Sequence, residues 1–145
     1  MPIVAAVDRT DRASDIIAEA RRLGEAFDEP VHAVHVLTRD EFVSLQRTNV
    51  SETGSAVPVE EIEAIATEIA TEAIQDADAD AEPVGLVGDP ADEIVSYATR
   101  VGAEYIVVAG RKRSAVGKAL FGSVSQSVIL SAETPVVMVK PDTDQ

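Results

Sequence analysis

The sequence predicts an α/β protein of one domain, with a five-stranded parallel sheet and helices on both faces. Short apolar runs, rich in Val and Ile, alternate along the chain with segments whose apolar residues recur at helical spacing. Gly, Pro or Asp bounds each apolar run, which is typical of strands buried in a parallel sheet. The order β-α-β-α-β-α-β-α-β predicts right-handed crossovers and a Rossmann-like sheet with strand order 3-2-1-4-5.

Five apolar runs are predicted to be strands, and none of them contains Asp, Glu, Lys or Arg. The predicted strands are Ile3–Val7, Val31–Leu37, Pro83–Val87, Tyr105–Ala109 and Pro135–Val139. The third run is the weakest. The last strand is expected at an edge of the sheet.

Four helices are predicted between these strands. Their apolar faces comprise Ile16, Ile17, Ala20, Leu23, Gly24 and Phe27; then Ile62, Ile65, Ala66, Ile69 and Ala73; then Ile94, Val95, Ala98 and Val101; and finally Val124, Val128 and Ile129. Asp89 is expected to cap the third helix, with Pro90 in its first turn and Gly102 at its end. The fourth is expected from about Ser123 to Ala132.

Two segments show no helical or strand pattern. Residues 38–57 are predicted to be a long loop, which in a compact domain is usually mobile or functional. This loop follows the second strand, so it could lie over a binding site. Residues 1–141 are predicted to form the domain, and residues 142–145 a frayed tail.

The composition excludes several classes of function. A net charge of −14 argues against DNA or RNA partners, because phosphate backbones would be repelled. The chain has no Cys, hence no disulfide or thiol chemistry. No apolar run approaches the roughly 18 residues of a membrane helix, and the first residues resemble a strand rather than a signal peptide. A soluble cytoplasmic protein without a membrane partner is therefore expected.

The chemistry is concentrated between Gly110 and Ser125, after the fourth strand. Four of the twelve basic residues lie there, namely Arg111, Lys112, Arg113 and Lys118. Gly110 permits a sharp turn and a close ligand approach, while Gly122-Ser123-Val124 would present free amides at a helix N-terminus. The hydroxyls of Ser123 and Ser125 could add hydrogen bonds to phosphate oxygens. The segment is either an anion-binding turn or a solvated loop whose charges face water.

The same segment carries a family resemblance. The chain resembles universal stress proteins at Ile3–Asp8, His35-Val36, Val87–Ile94, Gly110, Gly122–Ser125 and Pro135–Lys140, in the right order over nearly its whole length. The resemblance implies a Rossmann-like fold of the adenine nucleotide alpha hydrolase type. It also implies a homodimer that pairs through the last strand.

In the nucleotide-binding branch of that family, the motif is Gly, two residues, Gly, nine residues, then Gly with Ser or Thr. The resemblance implies that Asp8 and Val36 contact adenine and that Ala109 and Gly110 lie along ribose and phosphates. The phosphates of ATP or AMP, with Mg²⁺ as a bridging ion, would be bound at Gly122, Ser123 and Val124, and the Ser125 hydroxyl would add a hydrogen bond by its own chemistry. Neither a catalytic residue nor a metal ligand is predicted in the chain, so a stress sensor or at most a slow ATPase is expected.

The sequence departs from that motif at Arg113, which occupies the second Gly position, with only eight residues between it and Gly122. Arg113 either reaches a phosphate with its guanidinium or fills the pocket. The second possibility favours a dimeric interaction module without a nucleotide. Asp8 has two interpretations as well: it contacts the ligand or caps the next helix.

Other sites fit the sequence less well. Gly117-Lys118 does not make a P-loop, because Lys112 stands at the required Gly and Ala119 at the required Ser or Thr. His32 and His35 are three residues apart on one predicted strand, which places them on opposite faces of the sheet. They are therefore not expected to share a metal ion.

The abundance of acids and the scarcity of lysines indicate either a salt-adapted protein from a halophile, such as a haloarchaeon, or an ordinary acidic cytosolic protein. For the first alternative, we expect the urea midpoint of unfolding to rise when KCl increases from about 0.1 M to about 1 M, because the Debye length falls from about 10 Å to about 3 Å. Circular dichroism in urea measures this. A midpoint that does not rise contradicts salt adaptation.

Overall fold

The structure, a computed structural model, describes residues 1–8, 12–54, 58–110 and 122–140. In these ranges a five-stranded sheet forms in the order β3-β2-β1-β4-β5, with all neighbouring strands parallel. The strands are β1 (Ile3–Ala6), β2 (Val31–Leu37), β3 (Glu82–Val87), β4 (Tyr105–Ala109) and β5 (Val136–Val139). The helices are α1 (Arg12–Phe27), α2 (Arg39–Thr53), α3 (Val59–Asp76), α4 (Pro90–Val101) and α5 (Ser123–Ser131). The predicted fold class and strand order are confirmed.

The central strand β1 is buried on both faces. Ile3 and Ala5 belong to the core under α1 and α3, whereas Val4 belongs to the core under α4 and α5. All three side chains are fully buried. Removing apolar surface from water stabilises a fold by about 25 cal/mol per Å². A strand covered by helices on both sides gains this at every position, which explains why the predicted strands are apolar throughout.

Helix α4 begins and ends as predicted. The Asp89 carboxylate accepts a hydrogen bond from the Asp92 amide at 3.1 Å, and Pro90 is the first helical residue. Gly102 ends the helix in the left-handed conformation, at φ 64°. Before the helix, Gly88 turns the chain off β3 at φ 146°, a conformation that side chains rarely adopt. This turn places the start of α4 at the carboxyl edge of the sheet.

The prediction of a loop over residues 38–57 was wrong, because Arg39–Thr53 form helix α2. The Thr38 hydroxyl accepts a hydrogen bond from the Glu41 amide at 3.1 Å, and the Glu41 carboxylate accepts one from the Thr38 amide at 2.9 Å. This reciprocal pair is a capping box, which satisfies two amides at the helix start. Gly54 ends the helix in the left-handed conformation.

Helix α2 has no regular apolar stripe, which is why periodicity did not predict it. Phe42 and Leu45 pack against a small core, but Val43 and Val50 remain exposed. The Thr-x-x-Glu pattern at residues 38–41 and the Gly at 54 were the available signals. The sequence therefore indicates where this helix begins and ends more clearly than it indicates which side of the helix packs on the core.

The predicted inward face of α5 was wrong in two of its three residues. Val128 is fully buried, but Val124 and Ile129 are more than a third exposed, and so is Leu130 at 77%. The buried side of the helix consists of Ser125 and Val128, three residues apart. A nine-residue helix at the end of a sheet covers the core with one narrow side, and its remaining apolar side chains face outward.

The strand β5 lies at an edge of the sheet, as predicted, because it pairs with β4 alone. The predicted tail at 142–145 lies outside the described residues. In the part of the chain that the structure describes, no helix is both long and apolar enough to cross a membrane.

A polar cluster lies at the amino edge of the sheet. The ring of His32 stands between Tyr97 and Glu82: its Nδ1 is 2.7 Å from the Tyr97 hydroxyl, and its Nε2 is 3.4 Å from a Glu82 carboxylate oxygen. Burial raises the pKa of Tyr97, the Glu82 carboxylate raises it further, and the Arg100 guanidinium over the ring lowers it. The folded protein therefore keeps the Tyr97 proton to a higher pH than the unfolded chain does.

This pKa shift predicts an alkaline loss of stability. Above about pH 10, the unfolded chain loses the tyrosine proton while the folded protein retains it, so folding becomes less favourable as the pH rises. We expect Tyr97→Phe to be about 1 kcal/mol less stable than the wild type at pH 8, because the hydrogen bond to His32 is lost. The difference should shrink as the pH rises above about 10 in urea titrations. A constant difference would contradict the raised pKa.

Candidate functional site

The strand β1 ends earlier than the two strands beside it. Its last pairs are Ala6 with Val34 of β2 and Ala5 with Val107 of β4. Beyond them β2 continues to Leu37, paired with β3, and β4 continues to Ala109, paired with β5. A gap therefore opens between β2 and β4 at the carboxyl edge of the sheet. In α/β sheets, ligands bind at this edge where the strand order reverses.

The gap is a cavity of about 320 Å³. The ends of β1, β2 and β4 form its floor, and the first residues of α1, α2, α4 and α5 surround it. Five of the predicted site residues line it: Asp8, Val36, Ala109, Val124 and Ser125. The volume lies at the lower end of the range typical of small-molecule sites.

Gly110 directly follows the last residue of β4 and is not among the residues that line the cavity. Its amide donates a hydrogen bond to the Val139 carbonyl at 3.0 Å, and its carbonyl accepts one from the Arg12 guanidinium. The backbone of Gly110 thus ties the end of β4 to β5 and to the first residue of α1. Arg113 lies outside the described residues, with the rest of the basic segment.

The N-terminus of α5 faces one side of the cavity. Gly122 is the N-cap, in extended conformation, and its carbonyl accepts hydrogen bonds from the Gln126 amide at 2.9 Å and the Ser125 hydroxyl at 3.0 Å. Ser123 is exposed, whereas Ser125 is buried at the cavity wall. The first-turn amides of a helix have no partner within the helix, so this side of the cavity offers N–H donors to an anion.

Arg12 is a lining residue that the sequence analysis did not identify. It is the first residue of α1, and it is the one cation among the described residues that line the cavity. Its hydrogen bond to the Gly110 carbonyl fixes the guanidinium between α1 and β4. A guanidinium in this position adds positive charge to the side of the cavity that already carries the start of α5.

His35 lines the opposite side, on β2. Its Nδ1 is 2.9 Å from the Val7 carbonyl oxygen, and the side chain is buried, with 6% exposed. Its Nε2 has no hydrogen-bond partner among the described residues. His32, by contrast, contacts Tyr97 of α4 at the other edge of the sheet, which confirms that the two histidines point to opposite faces.

The capping box of α2 also borders the cavity, since Thr38 and Glu41 both line it. The Glu41 carboxylate accepts hydrogen bonds from both the amide and the hydroxyl of Thr38, at 2.9 and 3.1 Å. The helix that sequence analysis missed thus supplies part of the cavity wall. In the ranges that the structure describes, no group of three or more His, Asp or Glu side chains is arranged to hold a metal ion.

Fold and cavity together define a Rossmann-like domain with a ligand-sized gap at the switch point of its sheet. A sequence model of the universal stress protein family matches residues 1–140. A universal stress protein of Methanocaldococcus jannaschii is 30% identical over 145 residues, which cover 95% of this chain and 81% of the relative. The chain belongs to the universal stress protein family.

Solved structures agree with this assignment. A universal stress protein from Archaeoglobus fulgidus has a TM-score of 0.65 and 36% identity, with 97% of this chain and 98% of that chain covered. A structure of the universal stress protein from Archaeoglobus fulgidus in complex with dAMP has a TM-score of 0.65 and 33% identity over the same shares. The stress response protein NhaX of Bacillus subtilis is 40% identical over 55 residues, which are 38% of this chain and a third, 33%, of that relative.

The capping box predicts how α2 depends on Thr38. We expect Thr38→Ala to lower the free energy of unfolding by about 1 kcal/mol, because the Glu41 amide loses its acceptor. Urea unfolding measures this. Thr71→Ala is the matched control, since the Thr71 hydroxyl donates a hydrogen bond to the Thr67 carbonyl inside α3 and Ala favours a helix interior. Equal losses in the two variants would contradict the role of the cap.

Proposed function

We propose that this protein binds an adenine nucleotide, ATP or AMP, in the cavity at the carboxyl ends of β1 and β4, and acts as a stress sensor or regulator. The observation that carries the proposal is the gap beyond β1. It brings Asp8, Val36 and the start of α5 to one cavity although they are far apart in the sequence. The dAMP complex of the Archaeoglobus fulgidus universal stress protein supports an adenine nucleotide as the ligand class.

The cavity has the polarity that a nucleotide requires. Val34 and Val36 of β2, beside Ile94 of α4, form an apolar part of its wall that suits a planar base. Its β4 side carries Arg12 and the start of α5, and suits phosphate. We place adenine near Asp8 and Val36, and ribose along Ala109 and Gly110. The phosphates then meet Gly122, Ser123, Val124 and Ser125, and Arg113 is proposed to reach them from the basic segment.

The strong negative charge of the chain makes these cations necessary. A protein of net charge −14 repels a nucleotide phosphate at long range. Local positive charge must offset this, and both the helix N-terminus and Arg12 supply it where the phosphates are placed. Mg²⁺ would be held by phosphate oxygens, and any hydrolysis would rest on positioning and charge neutralisation.

A second candidate function is a dimeric interaction module that binds no nucleotide. The observation that favours it is the apolar surface beside β5: this edge strand is only partly buried, and Ile129 and Leu130 of α5 are exposed. We propose a homodimer that pairs through β5 in either case, because an open apolar edge strand otherwise invites aggregation. Only nucleotide binding separates the two functions.

Gly122→Val tests the nucleotide site. Gly122 has φ −69° and ψ 160°, which valine adopts readily, so the substitution adds bulk at the phosphate end without backbone strain. We expect the affinity for AMP or ATP to fall at least about tenfold, equivalent to about 1.4 kcal/mol, while the fold persists. Calorimetry in high salt with Mg²⁺ measures affinity, and mass spectrometry identifies any nucleotide that copurifies.

The matched control is Ser127→Val, which adds valine to an exposed position of the same helix. It is expected to bind as the wild type does. A folded wild-type protein that binds no adenine nucleotide at millimolar concentration would overturn the proposal and leave the interaction module. If Gly122→Val binds the nucleotide with unchanged affinity, the proposed position of the phosphates at the start of α5 is wrong.

A further inference from the structure

The capping box of α2 uses only one of the two oxygens of the Glu41 carboxylate. Oε1 accepts hydrogen bonds from the Thr38 amide at 2.9 Å and from the Thr38 hydroxyl at 3.1 Å. Oε2 has no hydrogen-bond partner among the described residues, and it remains accessible rather than fully buried. Because a carboxylate can only accept hydrogen bonds, Oε2 is an acceptor that is open to a donor from a ligand.

Thr38 holds this carboxylate at the end of β2, in the wall of the cavity. Both Thr38 and Glu41 line the cavity, and Thr38 follows Val36 by two residues. Two residues of extended chain span about 7 Å. The anchored carboxylate therefore lies close to Val36, where the base is proposed to bind.

The start of α4 brings the rest of the apolar wall beside the same capping box. The Gly88 amide donates a hydrogen bond to the Leu37 carbonyl at 2.9 Å, which holds the turn before α4 against the turn before α2. Pro90, the first residue of α4, lines the cavity, and so does Ile94 one turn later. The apolar surface proposed for the base, at Val36 and Ile94, is thus bordered by the start of α2.

The charges at the two ends of the cavity favour one orientation of a nucleotide. Arg12 lies toward β4, where its guanidinium bonds to the Gly110 carbonyl. Glu41 follows β2, which lies on the other side of β1 in the sheet. Phosphates are attracted by the guanidinium and by the start of α5 and repelled by the Glu41 carboxylate, so the base is left at the β2 end. On an adenine base, the exocyclic 6-amino group is a hydrogen-bond donor.

We infer that Glu41 is a specificity-determining residue, whose Oε2 accepts a hydrogen bond from the 6-amino group of the bound adenine. This inference rests on the proposed function. A base without a donor at this position displaces water from the carboxylate oxygen and gives it no partner in return. A site built to hydrogen-bond a donor rejects analogues that lack the donor more strongly than an apolar pocket does.

The first test compares AMP with purine riboside 5′-monophosphate, which has hydrogen in place of the 6-amino group. We expect wild-type protein to bind AMP about 10- to 100-fold more tightly in calorimetry, the effect of one hydrogen bond to a charged group. If wild-type protein binds the two nucleotides equally, the nucleotide site stands and the role of Glu41 is overturned. If it binds neither, the proposed function fails as well.

Glu41→Gln changes Oε2 and keeps the capping box. Glutamine serves at this position of a capping box, so its amide oxygen is expected to accept the bonds from Thr38. The amide nitrogen then stands in the place of Oε2 and is a donor. We expect AMP to bind this variant at least about tenfold more weakly than it binds wild type. IMP, whose base carries an oxygen at position 6, should bind the variant more tightly than wild type, and a loss of structure would not produce these opposite shifts.

Asp40→Asn is the matched control, because Asp40 is exposed in the same turn of α2 and is not among the residues that line the cavity. It removes the same charge and should keep the wild-type ratio of affinities. Equal changes in Glu41→Gln and Asp40→Asn would reduce the effect to net charge and overturn the inference. A Glu41→Gln variant that is folded by circular dichroism and keeps the wild-type ratio would overturn it as well. Should that variant not fold, the comparison on wild-type protein decides alone.

Discussion

The candidate site depends on one geometric constraint, the early end of β1 between two longer strands. Backbone pairing between β1 and β2 stops at Ala6 and Val34, while β2 and β4 continue and pair with their outer neighbours. Without a strand between them, the extensions of β2 and β4 enclose a space that the surrounding helices cannot fill. Because the strand order reverses at β1, the helices that follow β1 and β4, which are α1 and α5, lie on opposite faces of the sheet.

Two hydrogen bonds fix the walls of this space. The His35 ring joins β2 to the Val7 carbonyl at the tip of β1, and the Arg12 guanidinium joins α1 to the Gly110 carbonyl at the end of β4. Both bonds are accepted by backbone carbonyls that lie beyond the last paired residues of β1 and β4, at the carboxyl edge of the sheet. The same interactions thus give these two carbonyls a hydrogen-bond donor. They also hold an imidazole ring on the β2 side of the cavity and a guanidinium on the β4 side.

Regular packing made most of the fold predictable. Both faces of the sheet are buried, and a strand that is covered on both sides must be apolar at every position. The apolar runs of the sequence therefore predicted the strands. Helix α2 was not predicted because it packs weakly against the core. Its ends are stabilised by Thr38, Glu41 and Gly54, and it has no apolar stripe that periodicity could identify. The exposure of Val124 and Ile129 was not predicted, because hydrophobicity alone does not tell which side of a short helix packs on the core.

The sequence by itself determined the class of fold, the strand order, the family and five of the residues that line the cavity, among them Asp8, Val36 and Ser125. The class of fold follows from local patterns, in which spacing and turn chemistry act within a few residues, whereas the family and site residues such as Asp8 and Val36 follow from the resemblance to universal stress proteins. Only the tertiary structure placed Arg12 and His35 in the cavity and left the His35 Nε2 without a hydrogen-bond partner among the described residues. Both side chains donate to backbone carbonyls of residues that are distant in sequence. Every residue has a backbone carbonyl, so the type of residue at the accepting position does not reveal such a hydrogen bond.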